Sequence, residues 1–334
     1  MKTFLKNNLI KENQNYDVRL VWQPYYNCNL NCAYCIVKDL RKTTKISKIN
    51  ISALMKFLNE TNKIFNIDIS GGEPFLFPNL IESCIEITKN HYITISTNLI
   101  TGKIKEFSEK IDPKRVIIIY ASLHTKELEN LDLLDEFINN FHLFKERGFN
   151  ISVYEVAYPP ILDEIDKYKE FLQREGIKLN FKPYIGEYKG KRYPDSYTGQ
   201  EFKIFNFKKK YEIGLFQRGN ICNAGYNVFF INVKGNITYC FKIDKLMGKI
   251  YHNIKFRNKL IRCPVKFCPC CFNLMDLNLY KKAINETNSK VMNSIFLQKY
   301  MIKEFLVKVA NKYFTHNSIN QIIKFIANYY QKLF

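Results

Sequence analysis

An α/β fold, a partial (β/α)6 barrel with a small cysteine-rich β-hairpin extension and C-terminal helices, follows from three features of the sequence. Between residues 18 and 184, short β-branched and aromatic runs alternate with longer stretches of helical period. The ten cysteines gather mainly into two groups, one early and one late in the chain. The last 55 residues, from Tyr280, contain neither Gly nor Pro.

The runs Val18 to Trp22, Ile67 to Ser70, Tyr92 to Thr97, Arg115 to Ser122, Ile151 to Ala157 and Lys178 to Tyr184 read as strands. Helical periodicity over Ser52 to Asn62, Asn79 to Lys89, Leu131 to Arg147 and Asp163 to Glu175 supplies the crossovers. Six such units make a partial barrel, with chemistry expected at the carboxyl ends of its strands. The expected organisation is a barrel over 1–185, a polar connection or lid with little regular structure over 186–217, a cysteine-rich domain over 218–279 and a basic helical region over 280–334.

The chain of 334 residues is 46% hydrophobic, enough for one large core with additions. No stretch approaches the roughly 20 apolar residues of a membrane span, and the first residues lack a secretion-signal core, so a cytoplasmic protein is expected. Cysteines at short spacing in a large, signal-free chain favour metal binding over disulfides. The balance of 51 Lys and Arg against 31 Asp and Glu gives +20. Such a charge suits anionic partners, or equally reflects a lysine-rich proteome. No recognisable nucleic-acid reader motif is present, and no nucleic acid is expected.

The run NCNLNCAYC places Cys28, Cys32 and Cys35 as CxxxCxxC just after a strand. Three thiolates from one loop can converge on one cluster and leave a fourth iron open, as a substrate-binding metal centre requires. Zinc would need a fourth Cys or His, and none is adjacent. With Tyr34 before the last cysteine, this segment resembles the radical S-adenosylmethionine (SAM) superfamily, over about residues 18 to 184. The resemblance implies a TIM-like partial barrel, a 4Fe-4S cluster whose open iron takes the amino and carboxylate groups of SAM, and a 5′-deoxyadenosyl radical that abstracts hydrogen from an unactivated C–H bond. It also implies a reducing partner such as flavodoxin or ferredoxin.

Strand Ile67 to Ser70 runs into Gly71, Gly72, Glu73 and Pro74, where two glycines permit close backbone approach. In the resembled family this GGEP position binds the SAM amino group, and Glu73 can counter an ammonium. Ser96, Thr97 and Asn98 at one strand end, and Ser122 at the next, resemble polar positions that contact the SAM ribose and carboxylate; each alone could simply cap a helix. His124 reads as an exposed loop histidine. Glu155 in ISVYEVA either points into the barrel as an acid or base or faces the surface. Cys84, on an apolar helix face, reads as a buried small residue.

Cys222, Cys240, Cys268 and Cys271 make a second four-thiolate set. Gly235 and Asn236 suit a hairpin turn that returns Cys240 toward Cys222. CNAG and the later Gly-x-x-x-x-Cys resemble the twitch domain, a shortened SPASM extension, which implies an auxiliary 4Fe-4S cluster and two clusters in all. Cys263 or Cys270 could substitute in the set, and a zinc ribbon is the alternative occupant.

Residues 281 to 334 carry nine lysines against two glutamates, with Ile319, Ile322, Ile323, Ile326, Tyr330 and Phe334 at helical spacing. This reads as a helix packed on the barrel, with a peripheral membrane or lipid-carrier contact as the alternative. The function expected is an oxidoreductase acting on a small, carbohydrate-like or glycan-like substrate, with the auxiliary cluster accepting an electron. The competing readings are a peptide maturase forming thioethers or epimerising residues, and a non-catalytic iron-sulfur scaffold.

Overall fold

The computed structural model describes residues 15–43, 48–207, 218–265 and 276–287. The chain divides into two compact units, 1–279 and 280–334. Six parallel strands, β1 (Val18–Tyr25), β2 (Phe65–Gly71), β3 (Tyr92–Thr97), β4 (Val116–Ser122), β5 (Ile151–Ala157) and β6 (Leu179–Pro183), lie side by side in sequence order. Helices α1 (Ile51–Asn59), α2 (Leu80–Asn90), α3 (Ile104–Lys110), α4 (Thr125–Asn130), α5 (Leu134–Glu146) and α6 (Ile165–Arg174) fill the crossovers. The sheet is open, as a partial barrel requires.

Side-chain alternation gives the sheet two unlike faces. The register aligns Trp22, Ile69, Ile95, Ile119 and Ile151 across five strands. This apolar row joins the main core with helix residues Leu58, Ile87, Phe107 and Phe144, all fully or nearly fully buried. The opposite face carries Arg19, Asp68, Thr94, Ser96, Tyr120, Ser122, Tyr154 and Lys182. It is polar because it lines the concavity rather than packing under helices.

The expected helix Leu131 to Arg147 is present as α5 but starts only at Leu134, because Asp132, just before it, takes a positive φ of 57°. The expected lid at 186–217 is also corrected as far as it is described. Residues 186–207 form a hairpin, β7 (Gly186–Tyr188) with β8 (Lys191–Tyr193), and helix α7 (Gly199–Ile204), which Thr198 opens with a reciprocal capping box. Tyr184, Tyr193, Tyr197 and Phe205 bury together as a second small core. Their burial outweighs the polar composition that suggests a loop.

The extension continues the same sheet. β10 (Val228–Ile231) pairs parallel with the free edge of β1, then β11 (Asn236–Cys240), β12 (Ile243–Lys249) and β13 (Asn253–Ile254) add antiparallel, making ten strands. The expected turn is present: Gly235, with φ +75°, donates to Asn232 O across the β10–β11 hairpin. Separately, β9 (Ile221–Cys222) pairs with β14 (Ile261–Arg262). Among the described residues no helix is long and apolar enough to cross a membrane. Helix α8 covers Leu277–Glu286. Ile319, Ile322, Ile323, Ile326, Tyr330 and Phe334 lie outside the described residues.

Candidate active site at the cysteine loop

The loop bearing Cys28, Cys32 and Cys35 emerges from β1 and is held by the end of β2. Gly72 N donates to Tyr25 O and Glu73 N to Asn27 O, both at 2.9 Å, so the β1–β2 ladder continues into the loop. A Cβ at Gly72 would stand 2.0 Å from Asn27 O, and one at Gly71, where φ is +123°, 2.3 Å from Tyr25 O. The two glycines therefore let the loop backbone lie directly on the strand end. Pro74 opens a short 3-10 turn over Pro74–Leu76 beyond them.

Cys32 is buried, while Cys28 and Cys35 are half-exposed. Burial pushes the Cys32 and Cys28 thiols up, and the neighbouring Cys35 adds to the rise in both. Donors already face the sulfurs: Leu30 N lies 3.4 Å and Asn98 Nδ2 3.7 Å from Cys28 Sγ, and Arg41 Nη2 lies 3.4 Å from Cys35 Sγ. Such N–H groups suit thiolates that carry cluster charge. Among the described residues no three His, Cys, Asp or Glu side chains stand as a ready single-ion site. Thiolates of a four-iron cluster each bind a different iron and need not meet at one point. The donor set, its free thiols and the glycine cradle fit an iron-sulfur cluster with SAM.

Glu73 is 1% exposed. It accepts from Thr97 Oγ1 and Asn98 N at 2.8 Å each and from Phe75 N at 3.2 Å. Burial pushes its carboxyl up to about 7 against those three hydrogen bonds, which favour the ionised form. Asn98 is also buried; its Nδ2 donates to Asn29 Oδ1 at 2.8 Å and thereby ties the end of β3 to the cysteine loop. Ser96 and Ser122, half-buried, sit on the concave face.

Two expectations change. His124 is not an exposed loop residue: it begins the α4 turn with φ +50°, and its Nδ1 lies 2.9 Å from Tyr34 Oη. Burial holds this imidazole below its ordinary range, so it stays neutral at pH 7. Glu155 is 2% exposed, and strand parity puts it with Val153 on the helix-covered face, not in the concavity. Its carboxylate accepts from Thr125 N at 2.7 Å, Thr125 Oγ1 at 2.6 Å and Tyr34 Oη at 3.0 Å. Tyr34 has one proton, which the carboxylate takes; its oxygen then accepts from Nδ1–H of His124, which sets the tautomer. The network fixes Tyr34 beside Cys35. Cys84 is fully buried on α2, as expected.

Sequence reasoning missed Arg41, Asn29, Lys182 and the buried Arg19–Asp68 ion pair. Lys182 Nζ lies 4.9 and 4.8 Å from the Tyr120 and Tyr154 ring centroids on the concave face. The strand alternation Asn180, Lys182 is the signal that could have found it.

In the second group, Cys222 and Cys240 are buried and Cys263 is half-exposed. Cys222 pairs with Ile261, while Cys263 N donates to Asn220 O and Gly219 N to Cys263 O, each at 2.8 Å. Continuing that antiparallel register puts Cys222 and Cys263 on one face as diagonal neighbours, about 7–8 Å apart. Cys268, Cys270 and Cys271 lie outside the described residues.

Residues 22–172 match the family model of the Radical SAM superfamily. An uncharacterised protein of Methanocaldococcus jannaschii is 26% identical over 76% of this chain and 95% of its own length. GTP 3′,8-cyclase of Clostridium perfringens is 26% identical over 55% of this chain, and the match spans 60% of the cyclase. Native anSMEcpe with bound AdoMet and Kp18Cys peptide superposes with a TM-score of 0.53 at 16% identity, over 81% of this chain and 99% of that one. That likeness is one of fold.

Proposed function

We propose that this chain, whose residues 22–172 match the Radical SAM superfamily model, cleaves SAM reductively at a cluster on Cys28, Cys32 and Cys35 and abstracts hydrogen from a small, polar, carbohydrate-like substrate. The observation that carries this reading is the seating of the three-cysteine loop on Gly71 and Gly72, with donors facing its sulfurs. When bound, the cluster and SAM supply an electron-driven break of the sulfonium–ribose bond, with hydrogen transfer to the resulting ribose carbon. The chain's own residues position and shield that chemistry.

Gly71, Gly72 and Pro74 shape the cradle, and Glu73, its geometry fixed by Thr97 and Asn98, would counter the SAM ammonium. Ser96 and Ser122 are assigned to the SAM ribose and carboxylate. Tyr34 is held over the site by Glu155 and His124, so Glu155 acts by positioning rather than as an acid or base. The concave face, rich in Ser, Thr and Tyr hydroxyls with Lys182 among them, suits a hydroxylated substrate of small size. Electrons come from a low-potential donor such as flavodoxin or ferredoxin. We place the enzyme in the cytoplasm, without assigning it a nucleic-acid partner.

Cys222, Cys240, Cys268 and Cys271 are proposed to hold an auxiliary 4Fe-4S cluster in a twitch-like extension, with Cys263 the alternative ligand favoured by its place beside Cys222. That cluster would take the electron left on the substrate radical, making the enzyme an oxidoreductase. We expect Cys240→Ala to lower iron from about eight to about four per chain and to stop turnover while some uncoupled SAM cleavage persists. Normal turnover by a folded variant would refute the acceptor role. A peptide substrate is the second reading, favoured by the fold shared with a peptide-bound structure. Deuterated carbohydrates and deuterated peptides, each incubated with SAM and reductant, separate the two: the true class passes deuterium into 5′-deoxyadenosine. Transfer from peptides alone would overturn the carbohydrate reading.

A further inference from the structure

We propose that Arg41 tunes the iron-sulfur site: it donates to the Cys35 sulfur, grips the cysteine loop, and raises the reduction potential of the cluster bound there. This rests on the reading that Cys28, Cys32 and Cys35 hold a four-iron cluster. Arg41 lies in the 3-10 turn Lys38–Thr43, which follows the last cysteine closely and folds back on the loop. Its Nη2 donates to Cys35 Sγ at 3.4 Å and its Nη1 to Leu30 O at 2.8 Å. One rigid guanidinium thus binds the loop on both sides of Cys32, a geometry a lysine ammonium on a flexible stem does not reproduce. Its Nε is buried and has no hydrogen-bond partner among the described residues, so the group retains a donor beside the cluster site.

The effect on potential follows from charge. Adding an electron makes a cluster and its thiolates more negative, and a cation with an N–H at one sulfur stabilises that state more than the oxidised one. The other donors at these sulfurs, Leu30 N and Asn98 Nδ2, are neutral.

The test is a reductive titration of the full chain, reconstituted anaerobically and followed by electron paramagnetic resonance without SAM. The signal that changes when SAM is then added identifies the first cluster. In Arg41→Met the ratio of reduced to oxidised first cluster, read at the wild-type midpoint, should fall about tenfold, which is about 59 mV for a one-electron couple. Arg41→Gln, which removes the charge, should shift the same way, and Arg41→Lys by less. A Met or Gln variant that keeps its iron at the wild-type potential overturns the proposal. If both lose iron, Arg41→Lys decides: a fall supports the proposal, and the wild-type potential overturns it. A wild-type chain that binds no such cluster would instead defeat the reading of the cysteines.

Discussion

Cys35→Ala should abolish 5′-deoxyadenosine formation while leaving the fold intact. Cys35 is half-exposed, so removing its sulfur takes little from the core and the circular dichroism spectrum should be unchanged. The loss is chemical: two thiolates cannot hold a cluster that needs three, and without it no electron reaches the sulfonium. Cys28→Ala should behave alike. Iron should fall by about four per chain in either variant, with any iron at the proposed auxiliary site retained. A folded Cys35→Ala protein that still makes 5′-deoxyadenosine at an appreciable fraction of the wild-type rate would remove this cysteine from the site.

The second large effect is expected from Gly72→Ala, the smallest substitution available. The new methyl would meet backbone, Asn27 O at 2.0 Å and Asn27 C at 2.6 Å, rather than a side chain able to swing aside. Either β2 or the cysteine loop must withdraw, breaking the bonds from Gly72 N to Tyr25 O and from Glu73 N to Asn27 O. Overpacking typically costs about 1–3 kcal/mol, and backbone at the contact puts this case at the upper end. Because Glu73 moves with the strand end, SAM affinity should fall at least about tenfold, as expected for loss of a charge-assisted contact. Gly102→Ala is the control, since a Cβ there meets nothing within 4 Å. Isothermal titration with SAM and a melting curve on both variants check this; equal affinity in the two would contradict the cradle.

The parallel strands and the cysteine loop were legible because both leave local signatures, period-two apolar runs and fixed cysteine spacing. Glu155 shows where such reasoning stops. Alternation says that Ile151, Val153, Glu155 and Ala157 share a face, but not which face lines the concavity; that depends on the twist and helix cover of the whole sheet. A carboxylate on the apolar side implies buried donors, and Thr125 and Tyr34 are those donors. Arg41 leaves no local pattern, because its partners Leu30 and Cys35 meet it only when the 3-10 turn folds back. The polar text of 186–207 concealed an aromatic core for a similar reason: Tyr184, Tyr193, Tyr197 and Phe205 have no common period and converge through the hairpin.

Three thiolates in this loop are proposed to hold a cluster open to SAM and to deliver an electron to it. Anaerobic reconstitution of the full chain, followed by incubation with SAM and dithionite and quantification of products, tests it most directly. 5′-Deoxyadenosine and methionine are expected in equal amounts, in wild type only and only with reductant. Reconstituted protein that holds its iron at Cys28, Cys32 and Cys35 yet leaves SAM intact would contradict it.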